Sequence, residues 1–64
     1  MQINRLFEIV YILLDKQIVT AKELARHFEV SSRTIYRDVD TLSSAGIPIY
    51  ATQGKNGGIT LLDN

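Results

Sequence analysis

Arg33 and Arg37 are the side chains of this 64-residue chain whose type and spacing best suit binding chemistry. They lie four positions apart, so on a helix they would share one face with Asp40. Two like charges at this spacing destabilise an isolated helix by roughly 0.2–0.5 kcal/mol, and such an unfavourable arrangement often marks a functional site. A phosphate backbone laid against this face would turn the repulsion into attraction. The alternative is a solvated polar face on which Asp40 offsets Arg37.

Two capped helices are predicted to position these arginines. Thr20 and Glu23 have the spacing of a capping box, which predicts a helix from there to about Phe28. Ser31 is an N-cap candidate for a further helix that runs to about Ser44. The arginines would therefore lie in the first half of this third helix.

The turn between these helices is short, because only Glu29 and Val30 separate them. Such a gap is typical of a helix-turn-helix. This context favours a binding role for the helix face that carries Arg33 and Arg37, here called the arginine face. Glu29 occupies a turn position where a positive φ often calls for glycine, so we expect modest strain there. The third helix would pack through a face spaced i, i+4, i+7, which consists of Ile35, Val39 and Leu42.

The first helix is predicted over residues 3–15. The side chains predicted to face the core are Ile3, Leu6, Phe7, Val10, Leu13 and Leu14, and the opposite face carries Arg5, Glu8, Asp15 and Lys16. This apolar face is wider than a three-helix domain needs, with Ile9 and Tyr11 on its flanks and Ile12 among the charges. These additional apolar residues are either scattered over the surface, as is ordinary, or form a contact for a second copy or a further domain.

The C-terminal third of the chain predicts a β-hairpin. Gly46 is expected to end the third helix in a left-handed conformation. Alternating apolar residues then predict two strands, around 47–51 and 59–61, with Pro48 at a strand start or edge. The glycine-rich segment 53–58 between them predicts the turn. A further short strand is predicted at residues 18–20.

Composition excludes several classes of protein. The chain has no cysteine, so it holds neither a disulfide nor a thiolate zinc site. His27 is the only histidine and has no partner for catalysis, so it is expected on a helix surface. Lys55 and its glycines lack the spacing and the following helix of a phosphate-binding loop. We therefore expect no enzyme activity, no cofactor, no membrane span and a cytoplasmic location.

A net charge of zero is unusual for a chain that binds nucleic acid. Arg26, Arg33, Arg37 and Lys55, however, fall in the helix-turn-helix and the hairpin, so the local field matters more than the total. The zero net charge predicts that one isolated copy binds nucleic acid with only moderate affinity.

The order of these elements resembles a winged helix-turn-helix, a mainly α fold with a small β-hairpin. The segment VTAKELARHFEVSSRTIYRDVDTLSSAGIPIY and a Gly-x-x-Gly-Gly-x-x-Leu wing are similar to the DNA-binding domain of the WYL-domain transcriptional regulators, and more loosely to DeoR-type repressors. The resemblance covers nearly all of residues 1–64, and residues 33–38 are its most specific part. In that family a ligand-sensing domain follows the wing, so the chain is expected to be the N-terminal part of a longer regulator.

The resemblance implies a set of DNA-binding residues. The third helix (about 31–44) is expected in the major groove, and its DNA-binding residues are Ser31, Ser32, Arg33, Thr34, Tyr36 and Arg37. The wing (about 53–58) is expected on the adjacent backbone or minor groove, and its DNA-binding residues are Lys55 and Asn56. Two departures from the family pattern are Glu29 in the turn and Ile59-Thr60 in the last strand, where an arginine is often found.

Double-stranded DNA is therefore the expected partner, and the chain is expected to act in a bacterial transcriptional regulator. Dimer contacts of the whole protein are expected in the part that follows the wing. Two other readings remain open. One is the regulatory domain of an enzyme similar to the biotin ligase-repressors, and the other is a winged helix that binds only protein.

Overall fold

A computed structural model describes residues 3–52 and 57–62. Along these residues the elements are α1 (Ile3–Lys16), β1 (Ile18–Val19), α2 (Ala21–Phe28), α3 (Ser32–Ser44), β2 (Ile49–Thr52) and β3 (Gly58–Leu61). The described part is mainly helical with a small antiparallel sheet, which confirms the predicted winged-helix class.

The sheet has the strand order β1-β3-β2, and both pairings are antiparallel. Sequence analysis predicted β1 and the hairpin separately, but not that β1 would pair with β3 and place that strand in the centre. Ile18 pairs with Thr60, whose hydroxyl also donates to the carbonyl oxygen of Gln17 at 2.7 Å. A Cβ atom on Gly58 would lie 2.8 Å from Cγ1 of Ile18, so a larger residue here would force the Ile18 side chain to shift. As predicted, Pro48 immediately precedes an edge strand.

The core lies between the helices and the inner face of the sheet. Its fully buried side chains come from all three helices and from β3, namely Ile9, Leu13, Leu24, Ile35 and Ile59. The predicted face of α3 is confirmed, because Ile35, Val39 and Leu42 are all buried. Helix α3 is therefore held by one face while its opposite face remains in solvent.

The predicted orientation of α1 is only half right: of the six side chains expected at the core, Leu6, Val10 and Leu13 are buried or pack against it, and the other three are not. Ile9, which was placed on a flank, is 0% exposed, whereas Phe7 is 61% exposed. Ile3 and Leu14, also predicted to face the core, lie on the surface, and Ile12 packs partly against the core. The apolar side chains of α1 extend over more than half of its circumference, so their pattern alone does not fix which part is buried.

Each helix ends at a residue with a positive φ: 74° at Gln17, 57° at Glu29 and 93° at Gly46. The expectations for Glu29 and Gly46 are confirmed, and Gln17 was not foreseen. After α2, the amide of Val30 donates to the carbonyl oxygen of Ala25 at 2.9 Å. This bond satisfies a carbonyl that the helix itself leaves free, and it defines the turn toward α3.

Helix α3 ends in the same kind of motif. The amide of Ile47 donates to the carbonyl oxygen of Leu42 at 3.1 Å, and that of Gly46 donates to Ser43 at 3.0 Å. This is the Schellman arrangement, which turns the chain from α3 toward β2.

Glu29→Gly is expected to raise the free energy of unfolding by about 0.5–1 kcal/mol. A left-handed conformation costs a residue with a Cβ atom roughly 1–2 kcal/mol, and the greater freedom of glycine in the unfolded chain offsets part of this gain. Urea unfolding of the two proteins measures the difference.

Gly46→Ala is the matched control and should change stability in the opposite direction, by about 1 kcal/mol. A Cβ atom at Gly46 would meet no heavy atom within 4 Å, so only the backbone conformation contributes. A loss of stability in Glu29→Gly would show that the Glu29 side chain makes a contact worth more than its backbone strain.

Candidate nucleic-acid interface

The N-terminus of α3 is fixed by its own cap. The Ser31 hydroxyl accepts a hydrogen bond from the amide of Thr34 at 3.2 Å, and Ser31 itself has an extended backbone. Its oxygen also lies 3.2 Å from the Thr34 hydroxyl. These contacts confirm the predicted cap, and they place two hydroxyl groups at the end of the helix where free backbone amides also point outward.

The exposed face of α3 begins directly after this cap. Arg33, Tyr36 and Arg37 are exposed, and Ser32 and Thr34 are half-buried. The structure therefore brings five of the eight predicted site residues onto α3 and a sixth, Ser31, to its N-cap, with Arg33 in the first turn and Arg37 one turn later. The other two, Lys55 and Asn56 of the predicted wing tip, lie outside the residues that the structure describes.

Arg33 and Arg37 are not neutralised by the acidic side chains around them. Within residues 3–52 and 57–62, the close contacts between an acidic side chain and a basic or histidine side chain are Arg5 with Asp38 and His27 with Glu8, so Asp40 forms no ion pair with Arg37. The two guanidinium groups thus present their charge and their hydrogen-bond donors to solvent. Such a surface suits an anionic partner, since a planar guanidinium matches phosphate oxygens or a guanine edge.

Helix α2 packs against α3 and is capped as predicted. The Glu23 carboxylate accepts hydrogen bonds from the amide and hydroxyl of Thr20, at 3.1 and 3.0 Å, and the amide of Glu23 donates back to that hydroxyl at 3.0 Å. The hydrogen bond from the Thr20 backbone amide, which has the largest effect, and that from the Thr20 hydroxyl hold the pKa of Glu23 below its ordinary value. Leu24 and Ala25 are buried, so this helix is fixed in the core.

Asp38 is the buried acidic residue of α3, and it pairs with Arg5 of α1. The Arg5 guanidinium donates from Nε to Oδ2 at 2.5 Å and from Nη2 to Oδ1 at 3.1 Å. The hydrogen bond that Arg5 donates to Asp38 raises the pKa of Arg5 above its ordinary value. The side chains of Arg5 and Asp38 are only 17% and 9% exposed, so this two-point contact is partly shielded from water and ties α1 to the back of α3.

Sequence analysis missed this pair, although part of it was visible. Asp38 lies three positions after Ile35 and one before Val39, so it falls on the buried face of α3. A carboxylate at such a position requires a partner. The sequence gives no indication that the partner is Arg5, which lies 33 residues away and was assigned to a solvent face.

Asp38→Ala is expected to lower the free energy of unfolding by about 1–2 kcal/mol. The change leaves the Arg5 guanidinium partly buried without its carboxylate, and the loss falls between those of exposed and fully buried ion pairs. Thermal and urea unfolding measure it.

Asp40→Ala, an exposed acidic position on the same helix, is the control and should shift stability by less than about 0.5 kcal/mol. Equal effects at the two positions would mean that the pair contributes nothing beyond its surface charge. The double variant Arg5→Met/Asp38→Leu should recover part of the loss, since it removes both charges together.

His27 lies on the surface of α2, as predicted, with its Nε2 atom 3.8 Å from a carboxylate oxygen of Glu8. In the part of the chain that the structure describes, no helix is long and apolar enough to cross a membrane.

Comparison with known proteins adds to this geometry. The sequence profile of the HTH domain family matches residues 5–60. The chain is also similar to the uncharacterized HTH-type transcriptional regulator YobV of Bacillus subtilis (strain 168), with 51% identity over 63 residues. That match covers 98% of this chain but 20% of the relative, so the chain spans about a fifth of the length of the regulator it matches. No solved structure gives a significant match. The family match covers α2, α3, nearly all of the sheet and α1 except its first two residues, and the chain therefore belongs to the helix-turn-helix (HTH) domain family.

Proposed function

We propose that this chain is a sequence-specific double-stranded DNA-binding domain of a bacterial transcriptional regulator. The observation that carries the proposal is the pair of exposed arginines in the first half of α3, on the face opposite its buried side chains. Membership of the HTH family and the similarity to a regulator support the same function. We further propose that the regulator is of the WYL-domain type, and this finer assignment rests on residues 33–38 and the glycine-rich wing.

In this proposal the N-terminal half of α3 enters the major groove. A helix docked in this way brings its first turn to the base edges. Arg33 lies in that turn, and its two parallel donors match the O6 and N7 acceptors of guanine. The hydroxyl groups of Ser31, Ser32 and Thr34 and the ring of Tyr36 would contact neighbouring bases.

Arg37 would bind a phosphate. It lies about one helical turn after Arg33, about 6 Å farther along the axis, where the helix moves away from the base edges. The free amides at the start of α3 would hold a second phosphate, because the N-terminus of a helix carries a partial positive charge. Phosphate contacts of this kind fix the register of the helix on the duplex but do not select bases.

The wing would make the remaining contact. Strands β2 and β3 pair from Ile49 with Leu61 to Thr52 with Gly58, and this segment joins them in the sequence. We propose that Lys55 and Asn56 in this segment contact the adjacent backbone or minor groove. The Lys55 charge would add to the field of α3 and partly compensate for the zero net charge of the chain.

Selection of bound duplexes from a random pool, at low and at physiological salt, tests the proposal. We expect a motif of a few adjacent base pairs that includes guanine, and an affinity that falls steeply with salt. The matched control is the double variant Arg33→Ala/Arg37→Ala, which should stay folded and enrich no motif. Failure of the parent chain to enrich any sequence or to bind DNA at low salt would contradict the proposal and favour a winged helix that binds protein.

A further inference from the structure

Helix α1 carries a row of large apolar side chains that the domain does not cover. Ile3, Phe7, Tyr11 and Leu14 are 60%, 61%, 69% and 66% exposed. At about 100° per residue they fall within roughly 80° of the helix circumference, so they form one continuous strip, here called the apolar stripe. No charged residue falls inside this arc. Four large, exposed apolar side chains on one arc of a helix form a patch of the kind that marks an interaction surface.

The spacing of the stripe is nearly the same in both directions along the helix. Its members are separated by four, four and three residues, and a helix that runs the opposite way presents them as three, four and four. An antiparallel copy of α1 therefore places Leu14 opposite Ile3 and Tyr11 opposite Phe7, to within about one residue or 1.5 Å along the axis. The surface thus complements itself under a two-fold rotation, which is the requirement for an isologous dimer.

We propose that the apolar stripe is the contact between two copies of this chain, which pack through α1 in antiparallel orientation. The pairing joins an aliphatic side chain to an aliphatic one at each end and an aromatic ring to an aromatic ring in the middle. Because the chain has zero net charge, two copies approach without overall repulsion.

The area of the stripe indicates a weak association. A large aromatic side chain offers roughly 150–250 Å², so the four partly exposed side chains offer on the order of 500 Å² per copy. Two copies would bury about 1,000 Å², below the roughly 1,200 Å² at which stable specific interfaces begin and within the range of transient ones. We therefore expect self-association of the 64-residue chain only at high protein concentration, which leaves it monomeric in dilute solution.

The stripe and the arginine face of α3 do not compete. Ile9 and Leu13, on the other side of α1, fill the core, and α3 presents its arginines on the face turned away from that core. A dimer through α1 would therefore leave both copies of α3 exposed. The dimer itself does not rest on the proposed DNA binding, and it is tested without DNA.

Cross-linking tests the antiparallel register directly, since the chain contains no cysteine of its own. Ile3→Cys and Leu14→Cys proteins are mixed and oxidised mildly, with one of them labelled with heavy nitrogen because both variants have the same mass. We expect the mixed disulfide to exceed either symmetric product by about fivefold or more, because only cysteines that face each other can be bridged. Dominant Ile3→Cys symmetric product would indicate parallel packing, and a mixed product at only about twice the amount of each symmetric one would indicate random collision of the equimolar proteins. Either result overturns the proposal.

Sedimentation equilibrium over a wide concentration range tests the surface. Phe7→Glu and, separately, Tyr11→Glu should each weaken self-association by about tenfold or more, because a charge would be placed at the centre of the contact in both copies. Tyr50→Glu is the control, since Tyr50 is an exposed aromatic residue of β2 away from the stripe, and it should not change association. Circular dichroism checks that each variant is folded. A parent chain that stays monomeric up to millimolar concentration, or a Tyr50→Glu effect as large as that of Phe7→Glu, would overturn the proposal.

Discussion

Ile9→Ala should lower the free energy of unfolding by about 3 kcal/mol, the largest effect that we expect from a single change in α1. The Ile9 side chain is 0% exposed and lies in the centre of the core. Its truncation removes buried apolar surface and leaves a cavity, which together cost about 2–5 kcal/mol for an isoleucine. A domain of this size has a total stability of roughly 3–10 kcal/mol, so the variant should lose much of it.

Phe7→Ala, two positions earlier, is the matched control. Although phenylalanine is the larger side chain, Phe7 is 61% exposed, so its truncation should change the stability of the monomer by less than about 0.5 kcal/mol. Urea unfolding of both variants at low protein concentration, where the chain is monomeric, measures the two values. If Phe7→Ala cost more than Ile9→Ala, α1 would pack through the face expected from its sequence pattern and not through the face found in the structure.

Arg33→Ala should weaken binding to a selected duplex by about 2 kcal/mol, or roughly thirtyfold, and relax the preference at one or two base positions. Arg33 is exposed in the first turn of α3, the part of such a helix that lies deepest in the groove. Arg37→Ala should instead weaken binding to all sequences alike and reduce the slope of affinity against salt by about one. Both variants should stay folded, because neither side chain belongs to the buried face of α3.

Arg33→Lys separates the charge of this residue from its shape. Lysine keeps the positive charge but lacks the planar pair of donors, so the variant should retain the salt slope of the parent chain and lose most of its preference for guanine. The measurement is titration of each variant against a selected and a scrambled duplex at two salt concentrations. Loss of base preference in Arg37→Ala and not in Arg33→Ala would reverse the proposed docking of α3. No loss in either variant would remove DNA binding as the function of this face.

The local elements and the composition of the arginine face could be predicted from the sequence. The caps at Thr20 and Ser31 act within three residues, so their partners are adjacent in the sequence as well as in space. The spacing of Ile35, Val39 and Leu42 is narrow enough to fix one buried face, and that face in turn places Arg33 and Arg37 in solvent. Glu29 and Gly46 take their positive φ values because the helix ends there, which is again a property of neighbouring residues.

The orientation of α1, the pairing of β1 with β3 and the contact of Arg5 with Asp38 were decided only by the tertiary structure. Apolar residues cover so much of α1 that several orientations would bury a similar area, and the shape of the core selects the one with Ile9 inside. Ile18 pairs with Thr60, and Arg5 meets Asp38, across long stretches of chain. Periodicity and capping rules describe only interactions between near neighbours, so they contain no information about such partners. The same packing that buried Ile9 left Phe7 and Tyr11 in solvent, and the exposed stripe of α1 is therefore a product of the tertiary structure.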